Sequence, residues 1–151
     1  VVAHSVAAYM SSSGPGSIAD KVSVEKIDLM SADEARQMFK KMATLAATPN
    51  ASGSLDESLS RYFFQEFHSN SEAAEILYDN VFKRDLDLVA RIVSKIRGIE
   101  PASEEAQVAA LMLIAQVSFI WGPLSVPVKR LGWGKISQRE ADMIVDNIWI
   151  A

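Results

Sequence analysis

The chain has 151 residues, of which 49% are hydrophobic, with a formal net charge of -4 and no cysteine. This length and apolar content fit one ordinary domain with a sizeable core, and the lack of cysteine excludes disulfides, thiolate metal sites and a cysteine nucleophile. The acidic balance argues against a general nucleic-acid binder, because phosphate neutralisation requires clustered Lys and Arg. Because the first residues lack the basic flank and long apolar core of a signal peptide, we expect a cytoplasmic protein.

Capping signals indicate a series of helices. Three capping boxes, in which a serine is followed three residues later by a glutamate, predict helix starts at Ser31/Glu34, Ser54/Glu57 and Ser137/Glu140. Ser103 is a simpler N-cap, and Gly98 and Gly132 follow predicted helix ends. Residues 1–10, 31–47, 54–68 and 72–97 are predicted helices, while residues 17–30 stay open between a strand, an irregular linker and a helix. With no two-residue hairpin turn, the fold class is all-α, a helical bundle.

The stretch 108–121 is the most apolar part of the chain, interrupted only by Gln116 and Ser118. At about 100° per residue, its apolar side chains fall on two opposite faces. One face carries Val108, Leu111, Met112, Ala115 and Phe119, and the other carries Ala110, Leu113, Ile114, Val117, Ile120 and Trp121. The stretch is shorter than the roughly 20 apolar residues of a membrane span, so we expect no membrane insertion. One face can pack on the core, and the second predicts contact with another subunit, hence a homodimer.

No catalytic or metal-binding constellation is recognisable in the sequence. His4 and His68 stand in neither a His-x-x-x-His nor a Glu-x-x-His pattern, which argues against a metal centre. Neither a Gly-x-Ser-x-Gly elbow nor a Gly-x-x-x-x-Gly-Lys phosphate loop occurs. We therefore predict no enzymatic activity, no metal and no cofactor.

Aromatic and methionine side chains are concentrated in three consecutive predicted helices. Such residues mostly form core, yet pockets between the helices of a bundle use the same types together with a few polar groups. Gln116 lies between the two apolar faces, where a buried amide needs a hydrogen-bond partner. The predicted pocket would bind a small apolar or aromatic molecule and be lined by Phe64, Phe67, Tyr78, Met112 and Gln116.

The segments ILYDNVFKRDLDLVARIVSKIRG (76–98) and LMLIAQVSFIWGPLSVPVKRLGW (111–133) resemble the carboxyl-terminal regulatory domain of TetR-family transcriptional regulators, in the CecR-like subgroup. The similarity extends more loosely to most of the chain. This resemblance implies a helical bundle that binds an effector between its helices and dimerises through its last two major helices. The corresponding dimer contacts are Leu113, Ile114, Val117, Ile120, Trp121, Met143 and Ile144.

The helix-turn-helix domain of that family is absent from these residues. We expect residues 1–13 to be the remnant of the connecting helix, residues 1–151 to form the effector-binding and dimerisation domain, and DNA to be bound only by an N-terminal domain outside this chain. The predicted function is ligand sensing and homodimerisation in a TetR-like repressor. The alternative is a standalone helical protein-interaction module with no DNA-binding role.

Overall fold

The computed structural model describes residues 22–47, 62, 65, 66, 68–118, 129–133 and 136–148. Within these residues every regular element is helical and none is a strand, which confirms the all-α prediction. The elements are α1 (Val24–Asp28), α2 (Ala32–Ala47), α3 (Glu72–Leu77), a π-turn (Tyr78–Phe82), α4 (Lys83–Arg97), α5 (Glu104–Ser118) and α6 (Gln138–Asp146). The predicted helix over residues 1–10 and the predicted helix start at Ser54 lie outside the described residues.

The helix starts follow the predicted caps. The Ser31 amide donates to Glu34 Oε2 at 2.8 Å, and the Glu34 amide donates back to Ser31 Oγ at 3.3 Å. Ser137 and Glu140 form the same reciprocal pair at the start of α6. Ser103 caps α5 through its hydroxyl oxygen alone, as its sequence context predicts. Local hydrogen bonding therefore sets the first turns of α2, α5 and α6.

The open segment before Ser31 contains the short helix α1. Ser23 caps it by accepting a hydrogen bond from the Lys26 amide at 3.2 Å. Its one buried side chain, Ile27, is 0% exposed and belongs to the main core. The helix is thus held by a single apolar contact point, because one inward residue is all that five residues provide.

Helix α4 occupies the centre of the bundle, in contact with α1, α2 and α5, while α2 also contacts α6. Its inward side is apolar and closely packed, with buried Leu88, Val89, Ala90, Ile92, Val93 and Ile96. Gly98 ends it in the left-handed conformation at φ 69°, and its amide donates to Ser94 O at 2.8 Å. This confirms the predicted C-terminal glycine, since residues with a Cβ rarely adopt that φ.

Candidate effector site and exposed apolar face

A polar turn, residues 69–71, joins the segment that contains Tyr62 and Glu66 to α3. Ser71 Oγ donates to Glu66 Oε2 at 2.5 Å and accepts from the Ala74 amide at 3.2 Å. Ser69 Oγ donates to Glu66 O at 2.9 Å, and Asn70 adopts φ 50°, which asparagine tolerates better than most residues. These bonds fix the start of α3 relative to Glu66.

Tyr62 belongs to the same segment and is half-buried. Burial raises the pKa of its hydroxyl, and the negative charge of Glu66 adds to this effect. The phenol is therefore a neutral donor at physiological pH. Tyr62 is not among the lining residues predicted from the sequence, although its four-residue spacing from Glu66 places both on one side of a helix. Phe64 and Phe67, two predicted lining residues, lie outside the described residues.

Tyr78, a third predicted lining residue, is the first residue of the π-turn and is 44% exposed. Its neighbour Leu77 is 0% exposed. The π-turn contacts α3 and α4, the helical segments that flank it. Tyr78 thus faces outward at the junction between the polar turn's helix and the central helix.

Met112 and Gln116, the remaining predicted lining residues, lie one turn apart on α5. Met112 is 59% exposed, whereas Gln116 is half-buried. The Gln116 Nε2 donates to Met112 O at 3.3 Å, so the amide finds a hydrogen-bond acceptor on its own helix. The hydrogen-bond partner that the Gln116 side chain was expected to need is therefore supplied in part by the backbone.

The two apolar faces of α5 differ in burial. The inner face carries Ala106, Ala109 and Ala110, which are 0%, 7% and 0% exposed, together with Leu113 at 4%. Small side chains allow α5 to lie close to α4. The opposite face, with Val108, Leu111 and Met112 at 52%, 53% and 59%, is exposed. We call these three residues the outer row.

The predicted dimer contacts are distributed over both environments. Leu113 lies in the chain's own core, and Ile114, Val117 and Ile144 are partly buried against that core. Met143 on α6 is 41% exposed and faces outward. Ile120 and Trp121 lie outside the described residues. In this chain the outer row and Met143 are available to another molecule, whereas Leu113 is covered by its own helices.

The described residues contain no group of three His, Cys, Asp or Glu side chains able to hold a metal ion. None of the helices in the described ranges has the length and apolarity required to cross a membrane. The arrangement offers apolar surfaces and a few polar side chains, which suit binding of an apolar molecule or another protein surface.

The described residues thus form an all-α bundle in which one face of α5 is apolar and exposed. The family model for the C-terminal domain of the HTH-type transcriptional dual regulator CecR matches residues 35–148. The chain belongs to this family, which is a family of regulator domains and not of enzymes, and this confirms the resemblance drawn from the sequence. No curated protein and no solved structure matches the chain.

Proposed function

We propose that residues 1–151 form the effector-sensing and homodimerising domain of a TetR-like transcriptional repressor. Family membership supports the regulatory role. The observation that carries homodimerisation is the outer row of α5, three large apolar side chains that are each more than half exposed on one helix face. Single exposed apolar residues are common on protein surfaces, but a contiguous row opposite a helix's core face is typical of a subunit interface.

A second copy of the chain suits this row because an isologous interface needs a self-complementary surface. The outer row is uniformly apolar, and its helix has no Lys or Arg. Glu104 and Glu105 lie in the first turn of α5. In an antiparallel pairing of two α5 helices about a two-fold axis, these acidic turns would lie at opposite ends, so like charges stay apart.

Sedimentation equilibrium of the 151-residue chain tests the dimer. We expect a dimer at micromolar concentration, with a folded helical spectrum. A stable, folded monomer would contradict homodimerisation. The outer row would then fit the alternative function, a helical module whose apolar face binds a helix of another protein.

The effector proposed for this domain is a small apolar or aromatic molecule. Family membership supports a ligand-binding role, and the aromatic and methionine content supports the apolar character of the ligand. Phe64, Phe67, Tyr78, Met112 and Gln116 are the proposed lining residues.

Thermal unfolding with a panel of apolar and aromatic compounds tests the effector. A compound present at a hundred times its Kd stabilises the folded state by about 2.7 kcal/mol. For a domain of this size, that raises Tm by roughly 5–10 °C. A panel with no compound that raises Tm would contradict this part of the proposal.

DNA binding is assigned to an N-terminal domain outside this chain, and the proposed site of action is the cytoplasm. We propose no catalytic activity and no cofactor. The coding sequence upstream of Val1 tests the assignment of DNA binding to an N-terminal domain. A basic helix-turn-helix segment ahead of Val1 is expected, and its absence would favour the interaction module.

A further inference from the structure

The helical segment that connects the polar turn to the bundle centre is interrupted by one π-turn, Tyr78–Phe82. The Lys83 amide donates to Tyr78 O, five residues earlier, where an α-helix would use a partner four residues earlier. The Asn80 side chain donates from Nδ2 to Ile76 O at 2.8 Å. Single π-turns within α-helices are rare and occur frequently at functional sites.

The π-turn determines which of two adjacent large side chains is buried. It holds one residue more than an α-turn, and therefore rotates α3 by about 100° relative to α4. In an uninterrupted α-helix, Tyr78 would lie on the same side as Phe82, four residues later, and as Val89. In the structure Leu77 is the buried residue instead, at 0% exposure, and Tyr78 is 44% exposed.

Different contacts hold the two sides of the π-turn. On the carboxyl side, α4 carries the centre of the core, including Ile92 at 0% exposure. On the amino side, Leu77 is buried outside the main core cluster. There α3 is capped by Ser71, whose hydroxyl donates a hydrogen bond to Glu66 in the segment of the proposed lining residues. The π-turn thus joins the buried centre of the bundle to the side where we place the effector.

We infer that this π-turn is a register switch that couples effector binding to the exposure of Tyr78. In the second register the surplus residue moves from residues 78–82 to the connection before Ser71, so Tyr78 turns inward and Leu77 turns outward. Both side chains are large and mostly apolar, so a similar apolar area is buried in each register. Such a balance is what a two-state element requires.

The regulatory meaning of the switch rests on the proposed function, but the two registers are a property of the chain without ligand. Because the chain has no cysteine, a single thiol can be introduced at either position without background. The test compares Leu77→Cys with Tyr78→Cys, using the rate of reaction with an aromatic disulfide reagent. The thiol at position 78 should react at the rate of an exposed thiol.

The thiol at position 77 should react roughly 10- to 1000-fold more slowly, as expected for a minor state populated at 0.1–10%. Its rate should hardly change in low concentrations of urea, because a register shift exposes little surface. If the rate at position 77 rises with urea as steeply as global unfolding does, the second register does not exist. The π-turn would then be a static irregularity of the helix.

Deletion of Asn80 removes the surplus residue and leaves α3 in its present orientation relative to α4. The second register should therefore be lost, so that the thiol at position 77 reacts only through global unfolding. Asn80→Ala is the matched control, because it removes the side-chain bond to Ile76 but keeps the residue count. This control should keep the second register, and with it the reaction at position 77 that is insensitive to urea. A reaction at position 77 that stays insensitive to urea in the deletion variant, with its helical spectrum intact, would also overturn the inference.

Leu77→Cys truncates a fully buried side chain and could prevent folding, so amide hydrogen exchange of the unsubstituted chain provides the second readout. Amides of residues 80–84 should exchange through an opening that is insensitive to urea. Exchange only through global unfolding would refute the switch. A chain that shows the switch but binds no compound would refute the proposed effector role alone.

Discussion

Arg91 Nη1 lies 3.4 Å from Asp28 Oδ1, and this ion pair links α1 to the central helix α4. Both side chains remain substantially exposed, at 40% and 54%. An exposed pair of this kind contributes little stability, because water screens the charges and two long side chains lose freedom. The buried Ile27, one residue before Asp28, is the stronger attachment of α1.

Paired substitutions in α1 test this ranking. Ile27→Ala should lower the free energy of unfolding by about 2–5 kcal/mol, because it removes a fully buried side chain and leaves a cavity. Asp28→Asn should lower it by less than about 1 kcal/mol. Urea titration followed by circular dichroism measures both changes. An equal or larger loss for Asp28→Asn would show that the ion pair, not apolar burial, holds α1.

The capping box of α6 predicts a loss of stability in acid. Hydrogen bonds from the Ser137 hydroxyl and amide lower the pKa of Glu140 to about 2, from 4.5 for an unperturbed glutamate. Because the folded state has the lower pKa, the stabilisation is complete above about pH 4.5 and is lost as the pH falls towards 2. The urea midpoint of the native chain should decrease as the pH is lowered from about 4.5 towards 2. Glu140→Gln should make this decrease of the urea midpoint with pH less steep.

Glu34 in the α2 box and Glu25 beside Ser23 also have lowered pKa values, from hydrogen bonds to Ser31 and to Ser23 respectively. The Glu140→Gln variant should therefore keep part of the pH dependence. Identical slopes for the native chain and the variant would mean that the box at α6 does not contribute to the acid sensitivity.

Gly98 predicts a backbone effect on the connection between α4 and α5. Its φ of 69° is unfavourable for residues with a Cβ, although no atom beyond the adjacent residues lies within 4 Å of where that Cβ would be. Gly98→Ala should therefore cost about 1–2 kcal/mol of unfolding free energy through conformation alone. Gly98→Asn is the control and should cost less, since asparagine adopts this region more readily. Equal losses for both variants, measured by urea titration, would argue against a conformational cause.

The features that sequence predicts well are those set by neighbouring residues. Ser31 and Glu34 are three residues apart, and their reciprocal hydrogen bonds depend only on the first turn of a helix. Gly98 similarly ends α4 through its own backbone conformation. The all-α class follows from such local signals, because each helix start and end is visible without knowledge of the packing.

The inner face and the register depend on contacts that are distant in sequence. Leu111 and Leu113 are equally apolar, so a helical wheel cannot decide which one faces α4. The small residues Ala106, Ala109 and Ala110 were the available signal, because close helix packing requires them on the inner side. The exposure of Tyr78 had no comparable signal, since one surplus residue in the π-turn shifts the inward position to Leu77.

The proposed dimer depends on the outer row, so a charge placed there should weaken association without unfolding the chain. Leu131 provides the comparison for Leu111, because both are leucines with similar exposure, 55% and 53%, and Leu131 lies outside α5. Leu111→Glu should raise the dimer Kd roughly 30-fold or more, which corresponds to the loss of about 2 kcal/mol typical of an interface hot spot. Leu131→Glu should leave the Kd nearly unchanged.

Both variants should unfold within about 0.5 kcal/mol of each other as monomers, since each substitution is at the surface. Sedimentation equilibrium provides the Kd, and an equal effect of the two substitutions would remove the outer row from the interface.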